Sequence, residues 1–188
     1  MTMKQELRDA YAEPHRHYHD LRHIEACLHE LAALDGLAVD ERQILEYAIW
    51  WHDAVYDPTR SDNEEQSAIL AARDLAQLGV DRATRDTVAR LIRATRDHKV
   101  APDDRLGALL VSIDLSILGR PPAEYDAYAA AIRAEYAHVP DAAYRAGRAA
   151  VLRRFLAVPE IYPDPEFRRR YEQQARANLA REIASLEA

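Results

Sequence analysis

The stretch ILEYAIWWHD at residues 44–53 decides the fold that this chain is predicted to adopt. Its hydrophobic side chains recur at the three- and four-residue spacings of a helix with one buried face: Ile44, Leu45, Ala48 and Ile49. The same spacing leads from that face to His52, so the pair His52-Asp53 points inward. Burying such a pair costs free energy unless something replaces the lost water, and a metal ion would do so.

The composition of the whole chain favours helices. Hydrophobic residues make up 48% and charged residues 30% of the 188 positions, which is ordinary for a globular domain, and there are only five glycines. Alanine, leucine, arginine and glutamate are abundant, and no alternating β-branched run occurs. The sequence therefore predicts an all-α, single-domain bundle of eight or nine helices over residues 1–188. Its metal-site core would cover about residues 15–120, and its C-terminal helices residues 121–188.

Charge and hydropathy exclude several classes of partner. The net charge of −7 offers no large basic surface, so we expect no nucleic-acid polymer as partner. The lone Cys27 excludes an intrachain disulfide and is typical of a reducing compartment. The most apolar stretch, residues 106–118, is too short to span a membrane, and no apolar signal core is present. These features predict a cytoplasmic protein, monomer or homo-oligomer.

Two further polar residues are predicted to point inward. His23 lies in a predicted helix beside Ile24 and Leu28, and Asp114 stands four residues after Leu110 on an apolar face. Taken alone, each would more often be a satisfied core residue or one half of an ion pair. Together with the His52-Asp53 pair they form the order H…HD…D. Imidazoles and carboxylates in such a set suit a divalent metal ion.

Five short segments between about residues 11 and 160 form a set: RHYH at 16–19 followed by His23, WHDAVYD at 51–57, NEEQSA at 63–68, DLSILG at 114–119 and IRAEY at 132–136. This set resembles the HD superfamily of metal-dependent phosphohydrolases, and a bacterial branch of predicted HD-domain hydrolases in particular. The resemblance implies an HD-type helical domain that binds one divalent ion, with room for a second. The ion would be Mn, Fe, Co, Ni, Zn or Mg, and its ligands His23, His52, Asp53 and Asp114.

The resemblance also implies an activity. It predicts hydrolysis of a small phosphorylated metabolite or nucleotide, in which the metal lowers the pKa of its water and that water attacks phosphorus. Asp53 and Glu64 are the predicted catalytic carboxylates that orient the water. Glu64 stands where related branches carry a histidine, although a carboxylate at a helix start is equally expected from the helix dipole.

Several residues are candidates for binding the substrate. An arginine fork matches the geometry of phosphate, and a histidine near the metal can contact phosphate or a second ion. His19 precedes His23 by four residues and can share its helix face. His98 ends a predicted helix, where a purely structural role is equally expected. The candidates are Arg16, His19, His98, Arg133 and Arg148.

Two other functions fit the same residues. One is an HD-type oxygenase with two irons, in which His98 and Glu64 supply further ligands. The other is a non-catalytic sensor that binds a metal and a nucleotide. Oxygen consumption with iron would identify the first, and ligand binding without turnover the second.

Overall fold

The computed structural model describes residues 3–188, and every regular element in that range is a helix. The all-α prediction is therefore confirmed for the described residues. There are nine α-helices in this range and one 3₁₀ helix, Leu115–Gly119, which follows α6. The α-helices are α1 Met3–Ala10, α2 Leu21–Ala32, α3 Val39–Trp51, α4 Asn63–Gln77, α5 Arg82–Ala94, α6 Arg105–Asp114, α7 Pro122–Glu135, α8 Asp141–Ala157 and α9 Pro165–Glu187.

Helix α3 lies at the centre and packs against α2, α4, α5 and α6. Its inward residues Leu45, Ala48 and Ile49 have no exposed surface. Burial of this apolar stripe removes it from water, which is the main free energy holding the neighbouring helices in place. Helices α8 and α9 pack on each other, and α9 also covers the 3₁₀ helix. The helices α2, α3 and α6 therefore meet in pairs, and this arrangement positions the site.

The sequence predicts a second helix from about Tyr18 to Leu34, but α2 begins three residues later, at Leu21. The Asp20 carboxylate accepts a hydrogen bond from the Arg22 backbone N–H and caps the helix at that point. His19 consequently lies in the turn before α2, so the expectation that His19 and His23 share one helix face is wrong. Both residues nevertheless approach the same region.

The apolar residues from Leu106 to Leu118 predict one helix that ends at Gly119, but this stretch is divided in the structure. Helix α6 ends at Asp114, and residues Leu115–Gly119 tighten into the 3₁₀ helix. A Cβ atom at Gly119 would lie 2.8 Å from the carbonyl oxygen of Tyr171 on α9, so only glycine permits this approach. The tightening makes Asp114 the last residue of α6.

Among the described helices, none alone is both long and apolar enough to cross a membrane. Two segments that meet at a bend of 103°, Arg105–Gly119 and Pro122–Glu135, reach the necessary length and hydropathy only together.

Candidate metal centre

The four residues predicted as metal ligands lie together where three helices meet. His23 is on α2, His52 and Asp53 directly follow α3, and Asp114 ends α6. Both imidazoles are buried, and the two aspartate side chains keep 17% and 16% of their surface exposed. Residues distant in sequence are thus brought to one point that is shielded but reachable from solvent.

Five distances, which join the two imidazoles to each other and to the two carboxylates, match those between ligand atoms around a single ion. His23 Nε2 lies 3.0 Å from His52 Nε2, 3.5 Å from Asp53 Oδ2 and 3.2 Å from Asp114 Oδ1. His52 Nε2 lies 3.0 Å from Asp53 Oδ2 and 3.6 Å from Asp114 Oδ1. Metal–ligand bonds of about 2.0–2.2 Å in tetrahedral or octahedral geometry separate adjacent ligand atoms by about 2.8–3.6 Å. This buried His/Asp group can therefore hold a metal ion.

The His52 ring is fixed in the orientation that a metal ligand needs. Its Nδ1 lies 2.9 Å from the carbonyl oxygen of Ile49, which can only accept a hydrogen bond. Nδ1 therefore carries the proton, and in the neutral ring Nε2 presents its lone pair to the carboxylates. A backbone carbonyl that fixes the tautomer in this way is a common feature of metal-binding histidines.

The electrostatics of the group call for positive charge at its centre. Burial by itself raises the pKa of Asp53. The charge of His52 and the hydrogen bond between His52 and Asp53 have the larger effect, and they lower this pKa to well below the usual range. Burial also raises the pKa of Asp114, and hydrogen bonds from His23, His52 and His98 lower it well below normal. Burial lowers the pKa of His52, whereas the Asp53 charge and both aspartate hydrogen bonds raise it well above normal. Two carboxylates remain ionised here, and protons or a divalent cation must balance them.

Cys27 is a further potential ligand that the sequence did not single out. It lies one helical turn after His23, with its Sγ atom 3.8 Å from both ring nitrogens of that residue. It forms a second possible metal group with His23 and Asp114. Burial, with the charges of Asp114 and Asp53, raises the pKa of the thiol well above normal, which disfavours the thiolate that metals bind. The four-residue set is therefore the better candidate.

His98 approaches the same centre from another side. Its Nε2 lies 3.4 Å from Asp114 Oδ2, whereas the other oxygen of that carboxylate faces His23. The backbone of His98 is left-handed, with φ of 56°. Residues other than glycine rarely adopt this conformation, and it often marks functional sites. Asp114 thus faces two histidine groups, as a carboxylate does when it bridges two cations.

Glu135, on α7, fixes the segment that precedes α2. Its Oε1 accepts hydrogen bonds from the backbone N–H groups of His17, Tyr18 and His19, at 2.9, 2.7 and 2.9 Å. Its Oε2 lies 2.7 Å from His19 Nδ1 and accepts a 2.8 Å hydrogen bond from the Tyr56 hydroxyl. The sequence analysis missed this role, although Glu135 belongs to the IRAEY segment from which only Arg133 was singled out.

This contact changes the ionisation of both partners. Burial raises the pKa of Glu135, but the hydrogen bond and charge of His19, with the backbone N–H groups, lower it to about 2. Burial lowers the pKa of His19, and the Glu135 hydrogen bond with nearby carboxylate charges raises it above normal. The His19 ring, stacked at 4.2 Å on Tyr56, therefore favours its charged form.

Arg16 braces the turn that carries the metal ligands. Its Nη1 donates to the carbonyl oxygens of Asp53 and His19 at 2.7 and 2.9 Å, and its Nη2 donates to that of Ala54 at 3.0 Å. Its Nε bonds Glu13, and the side chain is buried. Although Arg16 was predicted to bind substrate, these contacts direct its guanidinium to the protein backbone.

A cavity of about 540 Å³ opens beside the ligand group. His19, His98 and Asp114 line the end nearest the ligands, and hydrophobic or aromatic side chains form most of the remaining wall. Arg148 also lines this cavity, and its Nε and Nη2 bond the Glu182 carboxylate at 2.8 and 3.1 Å. Three of the five predicted substrate-binding residues, His19, His98 and Arg148, thus face one cavity.

Two predicted site residues stand apart from the ligand group. Arg133 donates to the carbonyl oxygen of Tyr136 at 2.8 Å and stacks over the ring of Tyr144, and it does not line the cavity. Glu64 lies in the first turn of α4 and makes no hydrogen bond or ion pair with the described residues.

No family model, no curated protein and no solved structure matches this chain. The functional assignment therefore rests on the geometry of the site and on the motifs that supply its residues.

Proposed function

We propose that this chain is a metal-dependent phosphoric ester hydrolase of the HD type that acts on a small phosphorylated molecule. The observation that carries the proposal is the convergence of His23, His52, Asp53 and Asp114 at the spacing of ligands around one ion. The order of these residues along the chain and the all-α fold support it.

A divalent ion in this site, whether Mn, Fe, Co, Ni, Zn or Mg, would lower the pKa of a water molecule and polarise a phosphoryl oxygen. The reaction joins the oxygen of water to phosphorus and breaks the bond from phosphorus to the ester oxygen, which leaves as an alcohol after gaining a proton. Asp53 orients the water. Glu64 is proposed as the second carboxylate in that task because it lies in the first turn of α4, within the NEEQSA segment that follows the His52-Asp53 pair.

His19 is well placed to supply the proton to the leaving oxygen. Its Nδ1 is held by Glu135, so the rest of the ring is available to the cavity that it lines. Burial lowers the pKa of His19, but the Glu135 hydrogen bond and nearby carboxylates raise it above its ordinary value, which favours the protonated ring that a proton donor needs. The predicted substrate contact of His19 is thereby refined into proton donation.

One observation favours a second candidate function. The two oxygens of Asp114 face different histidines, His23 and His98, and a bridging carboxylate of this kind suits two ions. Two ions serve phosphoester hydrolysis, and two irons would serve an oxygenase.

The test begins with elemental analysis of protein purified without added metal. A screen of phosphoesters with Mn, Co, Ni and Mg follows, with an oxygen-consumption assay on iron-loaded protein. We expect stoichiometric metal and ester hydrolysis in the wild type, and loss of both in His23→Ala. The matched control is His29→Ala, an exposed histidine on the same helix, which retains both. Oxygen consumption without ester hydrolysis would contradict the hydrolase proposal and indicate an oxygenase. Nucleotide binding without turnover would indicate a sensor.

A further inference from the structure

We infer that the substrate is a phosphate monoester whose alcohol part is hydrophobic and carries a ring or a similar apolar group. This inference rests on the proposed hydrolase function. It follows from the shape, walls and charge of the cavity beside the metal ligands, and it excludes nucleoside polyphosphates as preferred substrates.

The cavity is much larger than the phosphate alone requires. Its contact with the site is formed by Asp114, His19 and His98, so the phosphate would lie at that end. The rest of the volume of about 540 Å³ extends away from the ligands between α7, α8 and the 3₁₀ helix. The leaving alcohol points into this space when its ester oxygen is near His19.

The walls of this space are apolar and aromatic. Tyr18 and Tyr128 meet edge to face with ring centres 4.6 Å apart, and Leu118, Val151 and Phe155 continue the surface. Such walls gain free energy when a hydrophobic group displaces water, and aromatic rings add a geometric preference for another ring. A polar alcohol such as glycerol would lose hydration here and would contact mostly apolar surface.

The charge of the cavity argues against additional phosphates. Arg148 is the only arginine or lysine among the described residues that line it, and Glu182 already pairs with that guanidinium. Asp114 adds negative charge at the other end. A nucleoside triphosphate would bring several more charges into a space without free cations, at a high desolvation cost. The negative charge of one phosphate would be balanced by the bound ion together with His19 and His98.

A second cavity supplies the competing hypothesis. It measures about 330 Å³, shares His98 and Phe155 with the first cavity, and contains Arg96, Lys99 and Arg154. These three cations are exposed, and a polyphosphate chain that passed His98 would reach them. A preference for polyphosphates would therefore point to this cavity and would overturn the inference.

The experiment compares two esters that have chemically equal leaving groups and adds a polyphosphate as the competing class of substrate. The Mn-loaded protein is assayed with 3-phenylpropyl phosphate, glycerol 3-phosphate and adenosine triphosphate. The first two are esters of primary alcohols, so their difference reports binding of the alcohol part rather than leaving-group reactivity. We expect kcat/KM for the phenylpropyl ester to exceed the other two by about tenfold or more, since burying a ring is worth at least that factor.

Gly147 offers a variant that fills the cavity. It lines the cavity on α8, and a Cβ atom there would meet nothing within 4 Å, so Gly147→Leu can fold while its side chain occupies the space. This variant should lose most of the preference for the phenylpropyl ester. Ala146→Leu, at the neighbouring exposed position outside the cavity, is the matched control and should retain it.

A binding measurement separates this inference from the proposed function. Calorimetric titration with 3-phenylpropylphosphonate, which cannot be hydrolysed at its P–C bond, needs no turnover. Binding that Gly147→Leu weakens and Ala146→Leu does not would support the inference even if no ester were hydrolysed and the hydrolase proposal failed. Ester hydrolysis in which glycerol 3-phosphate or adenosine triphosphate equals the phenylpropyl ester would overturn the inference and leave the hydrolase proposal intact. Absence of phosphonate binding would also overturn it.

Discussion

In the proposed site, Asp53 is the residue that would connect the metal and its water to the protein backbone. Its carboxylate lies 3.0 Å from His52 Nε2, and its carbonyl oxygen accepts the 2.7 Å hydrogen bond from Arg16. The side chain is thereby aimed by the same turn that presents the preceding histidine. A change at Asp53 removes a ligand and an anion at once.

We expect Asp53→Ala to abolish phosphoester hydrolysis, with a large loss of bound metal, because the ligand that orients the water is gone. Metal content and single-substrate kinetics on purified protein test this. Asp35→Ala, an exposed aspartate in the loop after α2, is the control and should behave as wild type. Wild-type turnover in Asp53→Ala would contradict the proposed site.

Glu64→Gln should lower turnover more than it lowers metal occupancy. Glutamine preserves the shape of the side chain and removes its charge, and Glu64 is outside the ligand group. The same two measurements apply, with Glu65→Gln as the neighbouring control, since Glu65 is engaged by Arg93 in an exposed ion pair. If Glu64→Gln keeps wild-type turnover, Glu64 is only a carboxylate at a helix start.

Glu135→Gln should destabilise the protein at neutral pH by an amount on the order of 2–3 kcal/mol. Glutamine keeps one acceptor for the backbone N–H groups but turns an NH₂ group toward His19 or the Tyr56 hydroxyl. Because the folded pKa of Glu135 is about 2, below the ordinary carboxyl value, its stabilisation is present above about pH 4.5 and is lost as pH falls toward 2.

Urea unfolding of Glu135→Gln and wild type between pH 7 and pH 3 measures this contribution. The difference in unfolding free energy should narrow as pH falls. Glu25→Gln, an exposed position on α2, should follow the wild-type curve. A difference that stays constant with pH would show that the charge of Glu135 contributes nothing to folding.

At the scale of elements, helical periodicity predicts most of the helices, because each has one face that must be buried. Periodicity does not predict where α6 ends and the 3₁₀ helix begins. The carbonyl oxygens of Leu115 and Leu118 accept hydrogen bonds from the Tyr162 hydroxyl and from Asn178, both far along the chain. These tertiary contacts satisfy backbone groups that a continued α-helix would have paired internally, and no local pattern reports them.

The difference between local patterns and tertiary contacts also explains which residues of the candidate site the sequence predicts. His23, His52, Asp53 and Asp114 were found because each is a polar residue on an otherwise apolar face, which is a local signal. Glu135 was missed because its partners are backbone N–H groups more than a hundred residues away. Such a contact depends on how α7 packs, and a single glutamate in an amphipathic helix does not reveal it.

Gly119→Ala should be strongly destabilising, by about 2–3 kcal/mol, because the new methyl group would overlap the backbone of Tyr171 and push α9 away from the 3₁₀ helix. Gly147→Ala on α8, where a methyl group has open space, should instead be neutral or stabilising by up to about 1 kcal/mol through helix propensity. Denaturant unfolding of both variants gives the comparison. Equal effects of the two substitutions would show that the close approach of α9 is unimportant.

For the whole molecule, the proposed ligands come from three helices that pack on one another. His23 lies on α2, the His52-Asp53 pair directly follows α3, and Asp114 ends α6. An ion held by all of them is bound by the folded chain and not by the unfolded chain, so its binding free energy adds to the stability of the fold. Without the ion, two largely buried carboxylates contact the same pair of imidazoles, and only imidazole protons balance their charge.

Removal of the metal should therefore lower the melting temperature. At a free metal concentration about a hundredfold above Kd, bound metal contributes roughly 2.7 kcal/mol, which corresponds to a shift of about 5–10 °C for a domain of this size. The measurement is thermal unfolding with and without chelator, with elemental analysis to prove that the metal was removed. Asp53→Ala lacks one ligand, so the chelator should change its melting temperature little. This control separates loss of the ion from any direct effect of the chelator on the protein. Equal melting temperatures for metal-loaded and metal-free wild type would mean that the ion does not hold α2, α3 and α6 together, and that the carboxylates are balanced by histidine protons alone.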